Sequence, residues 1–145
     1  MHRILFASLF LLAAPARADA PGRCPAPVIA SISKVFPKAT ISACKPERDH
    51  GKDIFEVKLA RPGGDRLEVD VAADGTILQV EEPIAVDALP DAVRKAFAVK
   101  YPRARPTAVN KQTAGKDVRY EVAFVVDKAR KEATFSADGA FVEEE

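Results

Sequence analysis

The chain has 145 residues, 48% hydrophobic and 30% charged, and its 22 Lys and Arg against 21 Asp and Glu leave a formal net charge of +1. That balance excludes a disordered polyelectrolyte and a collagen-like repeat, and it offers no electrostatic footprint for nucleic acid. The length suits one domain or two small repeats.

Residues 1–18 read as an export signal. Met1-His2-Arg3 is a short basic start, Ile4 to Ala14 is a nearly unbroken apolar run, and Ala16-Arg17-Ala18 supplies the small residues expected before a cleavage point after Ala18. The apolar run is too short to span a bilayer, so no stable membrane span is expected after cleavage. In an exported chain the two cysteines, Cys24 and Cys44, read as a disulfide rather than a zinc or redox pair, since they are 20 residues apart and far from Cys-x-x-Cys. Closing that loop stabilises the fold by about 3 kcal/mol.

Beyond the signal the chain repeats itself at an offset of about 65 residues. Pro25-Ala26-Pro27-Val28 aligns with Pro90-Asp91-Ala92-Val93, Phe36-Pro37-Lys38-Ala39 with Tyr101-Pro102-Arg103-Ala104, and Phe55-Glu56-Val57 with Tyr120-Glu121-Val122. After a one-residue deletion, Ala73-Asp74-Gly75 lies over Ala137-Asp138-Gly139. The common order and spacing predict two copies of one unit. Repeat 1 spans residues 19–82 and repeat 2 residues 89–145, with a linker at 83–88.

Each copy opens with a helix. Val28, Ile32, Val35 and Phe36 make the apolar stripe of the first, and Val93, Ala96, Phe97 and Tyr101 that of the second. Both stop at an aromatic-proline pair, because the residue before proline is pushed out of helical geometry. Period-two runs follow: Phe55, Val57 and Leu59; Leu67, Val69 and Val71; Tyr120, Val122, Phe124 and Val126. Asp74-Gly75 and Asp138-Gly139 predict two-residue hairpin turns with positive φ at both positions, Pro62-Gly63-Gly64-Asp65 predicts another turn, and Lys128-Ala129-Arg130-Lys131 reads as a short basic turn. The fold class expected is α+β: two tandem units, each a helix on one face of a four-stranded antiparallel sheet. Units of this size bury little surface alone, so the two sheets should pack or pair. The offset also places Cys24 over Leu89 and Cys44 over Val109, which predicts that an apolar contact in the second copy replaces the disulfide of the first.

The pattern Leu89-Pro90, Ala92-Val93, Ala96-Phe97, Tyr101-Pro102, Ala104, Tyr120-Glu121-Val122 and Phe135 with Asp138-Gly139 resembles the PepSY-like family of β-lactamase-inhibitor-like domains. Both copies carry it. The resemblance implies a small exported, often tandem α+β protein whose open sheet face and hairpin loops could grip another protein.

Catalytic chemistry finds little support. Beyond the signal the one histidine is His50, in the polar stretch Glu47 to Asp53 that predicts a hairpin loop, and no serine sits in a Gly-x-Ser-x-Gly turn. Asp49 and His50 lack further ligands at metal-site spacing, and Asp65, Asp70 and Asp74 lack the density of a calcium loop. No catalytic residue, metal or cofactor is therefore expected. Two functions remain. One is a periplasmic or secreted module that binds another envelope or secreted protein, a peptidase or other hydrolase among the candidates. Alternation makes Glu56, Lys58, Glu68, Asp70, Arg119, Glu121, Glu132 and Thr134 its candidate face, with Asp49 and His50 at a loop tip. The other is an envelope protein that binds or senses a small ligand or ion. An apolar or aromatic patch on the sheet would favour the first, and a deep concave pocket of converging polar groups the second.

Overall fold

Two ten-residue helices, α1 (Ala26–Val35) and α2 (Asp91–Lys100), each start directly after a proline and end at an aromatic residue that precedes another. Pro25 and Pro90 occupy the N-cap positions with φ near −60°, and the C-cap N–H groups of Phe36 and Tyr101 donate to the carbonyls of Ile32 and Phe97. Both caps leave helical geometry, with φ of −122° and −126°, as the following proline requires. The computed structural model describes residues 24–49 and 51–145. The export signal expected over residues 1–18, and His50, lie outside them.

Four strands follow each helix: β1 (Thr40–Asp49), β2 (Lys52–Ala60), β3 (Arg66–Ala72) and β4 (Ile77–Ile84), then β5 (Pro106–Ala114), β6 (Asp117–Val126), β7 (Ala129–Ser136) and β8 (Phe141–Glu144). They form one eight-stranded antiparallel sheet in sequence order. The two sheets expected from the sequence are thus fused edge to edge, through β4 and β5, with Glu81 opposite Gln112 and Ile84 opposite Val109. The linker expected at 83–88 is in part strand: Pro83 and Ile84 extend β4, and only then does a short 3-10 turn (Val86–Ala88) lead to α2. Pro83 is tolerated because the register of β4 with β3 ends at Glu81.

Alternation gives the sheet two unlike faces. One carries Val57, Leu59, Leu67, Val69 and Val71 under Val28 and Ile32 of α1, and Val109, Val122, Phe124, Ala133 and Phe135 under Val93 and Phe97 of α2. Tyr101 and Phe36 continue these rows. Val35 does not: it is 53% exposed, because the four-residue steps Val28, Ile32 and Phe36 fill the space over the sheet and leave Val35 on the flank of the last turn. Cys24 and Cys44 are bonded, with Cα atoms 5.6 Å apart, beside the first cluster. Leu89 and Val109 are both buried in the second.

The turns depart from the sequence reading. Asp74 and Asp138 do not take positive φ; Gly75 (92°) and Gly139 (90°) do. Gly75 N–H donates to the Ala72 carbonyl and Gly139 N–H to that of Ser136, which makes three-residue loops that end in a left-handed glycine. The carboxylate of Asp74 instead accepts the Thr76 N–H at 2.8 Å. Positive φ at both central positions occurs at Asp127 (50°) and Lys128 (67°), between β6 and β7, so the expected basic turn shrinks to that pair and Ala129, Arg130 and Lys131 belong to β7. The loop expected over Glu47 to Asp53 likewise contracts, since Asp49 still pairs with Lys52.

Candidate functional site

The face opposite the helices is polar and concave. Eight strands at 4.8 Å would span about 34 Å if laid flat. Yet one cavity of about 150 Å³ is lined by Asp49 of β1, Asp70, Gln79, Gln112, Arg119, Glu121 and Thr134 of the strands between, and Glu143 and Glu145 at the opposite edge. The sheet must curl around it to bring both edges to one place. Thr134 is the one polar residue among the buried side chains of the described residues, 5% exposed.

The candidate residues fall into three groups. Asp49, Asp70, Arg119, Glu121 and Thr134 meet around the cavity. Glu56, Lys58 and Glu68 form a separate patch on β2 and β3, where Lys58 Nζ lies 2.8 Å from Glu68 Oε1 and 3.4 Å from Glu56 Oε1; these carboxylates hold the Lys58 ammonium above its ordinary range. Glu132 stands apart, with Arg130 3.8 Å away. His50 lies outside the described residues.

The centre of the face escaped the sequence reading. Asn110 and Gln112 of β5 sit between Glu81 of β4 and Glu121 of β6. Asn110 Nδ2 donates to Glu81 Oε1 (2.8 Å) and Glu121 Oε1 (3.1 Å), and Gln112 Nε2 donates to Glu81 Oε2 (3.1 Å) and Glu121 Oε2 (3.2 Å). Two amides thus bridge two carboxylates across the seam where the halves join. Burial, then the Glu81 charge, pushes Glu121 up to about 7, and burial raises Glu81 as well. Asp70 is pushed up to about 6, by burial first and then by the carboxylates of Asp49, Glu47, Glu56 and Glu68. The signal for this centre was present as polar residues at alternate positions: Gln79 with Glu81 around Val80, and Asn110 with Gln112 around Lys111. Glu143 and Glu145 line the cavity, while Glu144 accepts hydrogen bonds from Tyr101 and Lys131 on the other face.

A concave face rich in carboxylates, several of them short of counter-charge, is suited to a positively charged surface. No group of three or more His, Cys, Asp or Glu among the described residues is placed to hold a metal ion, and no helix among them is long and apolar enough to cross a membrane.

No family model and no curated protein matches the chain. Solved structures do. A candidate periplasmic protein of Bacteroides eggerthii superposes with a TM-score of 0.70 at 16% identity, over 86% of this chain and 89% of that one. A DUF2874 family protein of Bacteroides uniformis gives 0.68 at 18% identity, over 83% and 88%. A BLIP-like protein of Bacteroides fragilis gives 0.62 at 21% identity, over 83% and 85%. The chain is therefore similar to these proteins in fold, two helices backing one antiparallel eight-stranded sheet.

Proposed function

We propose that the protein is an exported, non-enzymatic binding module that docks another envelope or secreted protein on the concave face of its sheet. The observation that carries this reading is the segregation of the two faces: every buried helix residue packs on one side, which leaves a curled, charged surface to which strands of both halves contribute. Among the described residues the face carries no aromatic patch of the kind that would mark a protein partner at once. Its cavity, however, is about 150 Å³, below the roughly 300 Å³ at which small-molecule pockets begin, and fits a side chain better than a free ligand. Placement in the periplasm or outside the cell is supported by the signal-like residues 1–18, the disulfide and the candidate periplasmic neighbour.

The same reading holds the chain to be a duplicated PepSY-like unit. Supporting it, Gly75 lets the β3–β4 turn approach the Pro27 carbonyl of α1, and Gly139 lets the β7–β8 turn approach the Ala92 carbonyl of α2; these glycines and these helix positions correspond in the internal alignment.

Affinity capture from an envelope extract with the mature protein tests docking. Paired reversals Glu68→Lys and Glu132→Lys on the concave face should abolish specific capture, while Lys95→Glu on the exposed side of α2 should leave it intact. Capture lost only with Lys95→Glu, or indifferent to both, refutes the sheet-face reading.

A further inference from the structure

The cavity holds two groups that the fold leaves unanswered. The Thr134 hydroxyl, in a residue only 5% exposed, makes no hydrogen bond to a described residue. Asp70, in the same lining, has neither a hydrogen bond nor an ion pair among the described residues and is surrounded by like charge. A half-buried carboxylate among carboxylates costs stability, and the Thr134 hydroxyl, open to the cavity alone, has its acceptor capacity free there. A donor-rich cation answers the two together.

Resting on the docking reading above, we propose that this cavity receives the ε-ammonium of a lysine from the partner protein, with Asp70 and Glu121 as its counter-charges and the Thr134 hydroxyl as a third acceptor. Three features select this occupant. The acceptors come from β3, β6 and β7 around a small space, which suits the three divergent donors of an ammonium better than the flat fork of a guanidinium. The volume of about 150 Å³ admits an alkylammonium tip and little more. The carboxylates of Asp70, Glu121, Glu143 and Glu145 outnumber the one cation in the lining, Arg119, which is itself exposed.

The test is an amide-resolved NMR titration of the mature protein with Nα-acetyl-lysine amide, and with Nα-acetyl-norleucine amide as the uncharged match. The lysine compound should give saturable shifts centred on Asp70, Gln79, Gln112 and Thr134, with the norleucine compound weaker by about tenfold or more. The near-isosteric pair Asp70→Asn with Glu121→Gln should abolish the response, and Thr134→Val should weaken it several-fold, each in a protein whose remaining spectrum is unchanged. Equal response to norleucine, no saturable shift, a full response in the double variant, or the same shifts from calcium chloride alone would overturn the proposal. Should the titration fail while capture still depends on Glu68 and Glu132, only the lysine site is refuted. Should the titration succeed while reversal leaves capture unchanged, the docking reading is refuted instead.

Discussion

The two halves of the sheet reach the same outline with different interiors. The first is aliphatic, Val28, Ile32, Val57, Leu59, Leu67, Val69 and Val71, and is tied at its entrance by the Cys24–Cys44 bond. The second has no cross-link and is built on aromatic rings: Phe97 lies 5.2 Å from Phe124 and 6.3 Å from Phe135, and Tyr101 lies 4.4 Å from Phe124. Where the first half has two bonded sulfurs the second has Leu89 and Val109, each 2% exposed. A covalent tie in one half and ring packing in the other thus close the same helix onto the same sheet, and both leave the concave face free of apolar duty.

The sharpest way to separate these solutions is to remove a matched pair of core residues. Phe124→Ala should destabilise the protein by about 3–5 kcal/mol, since its ring is fully buried and contacts two others. Leu59→Ala, at the corresponding position of the aliphatic half, should cost about 2–4 kcal/mol. Urea unfolding measures both, and a larger loss at Leu59 than at Phe124 would contradict the expectation that the ring contributes more than its aliphatic counterpart. Next comes the cross-link. Cys24→Ala with Cys44→Ala should lower stability by about 3 kcal/mol, and Leu89→Ala by about 2–4 kcal/mol. If the double cysteine variant unfolds at wild-type denaturant concentration, the bond is not what holds the first half closed.

Smaller effects are expected at the two turns that touch the helices. A Cβ on Gly139 would lie 2.7 Å from the Ala92 carbonyl oxygen, and one on Gly75 would lie 2.7 Å from the Pro27 carbonyl oxygen and the Ser31 Oγ. Both glycines also have positive φ. Gly75→Ala and Gly139→Ala should each cost about 1–3 kcal/mol. Gly51→Ala, with positive φ but open space around the position, should cost only about 1 kcal/mol. Thermal melts of the three variants separate backbone strain from steric approach.

What the sequence disclosed follows from how locally each feature is encoded. The helix ends are written in Phe36-Pro37 and Tyr101-Pro102, and the core strands in the alternation of Val57, Leu59, Val69, Val122 and Phe124, so both were legible. The β4–β5 junction was not, because strand pairing is a backbone interaction and the side chains at the seam, Glu81, Asn110 and Gln112, read merely as polar. Turn type failed for a similar reason: the backbone angles at Asp74 depend on its carboxylate accepting the Thr76 N–H and on the glycine beside α1. Thr134 was legible as a residue of the open face, but its burial arises only when the sheet curls.

Titration distinguishes the halves most gently, since each places one perturbed carboxylate on the cavity. Asp70, in the first half, is raised from 3.8 to about 6, and Glu121, in the second, from 4.5 to about 7. Between those limits the folded protein binds more protons than the unfolded chain, so stability falls as pH rises through them. Both groups retain contact with solvent, which reduces the loss to about 1 kcal/mol each. The lowered carboxyls of Asp74, Asp138 and Glu144 work with the opposite sign but below their ordinary range, outside this window. Melting temperature should therefore decline by a few degrees between about pH 4.5 and pH 7. Asp70→Asn should remove the part of the decline below about pH 6, and Glu121→Gln the part that extends to about pH 7. A profile unchanged by either variant would mean that solvent and counter-ions already neutralise the cavity, and a melting temperature that rises with pH across this range would mean that its carboxylates are stabilised as anions in the fold.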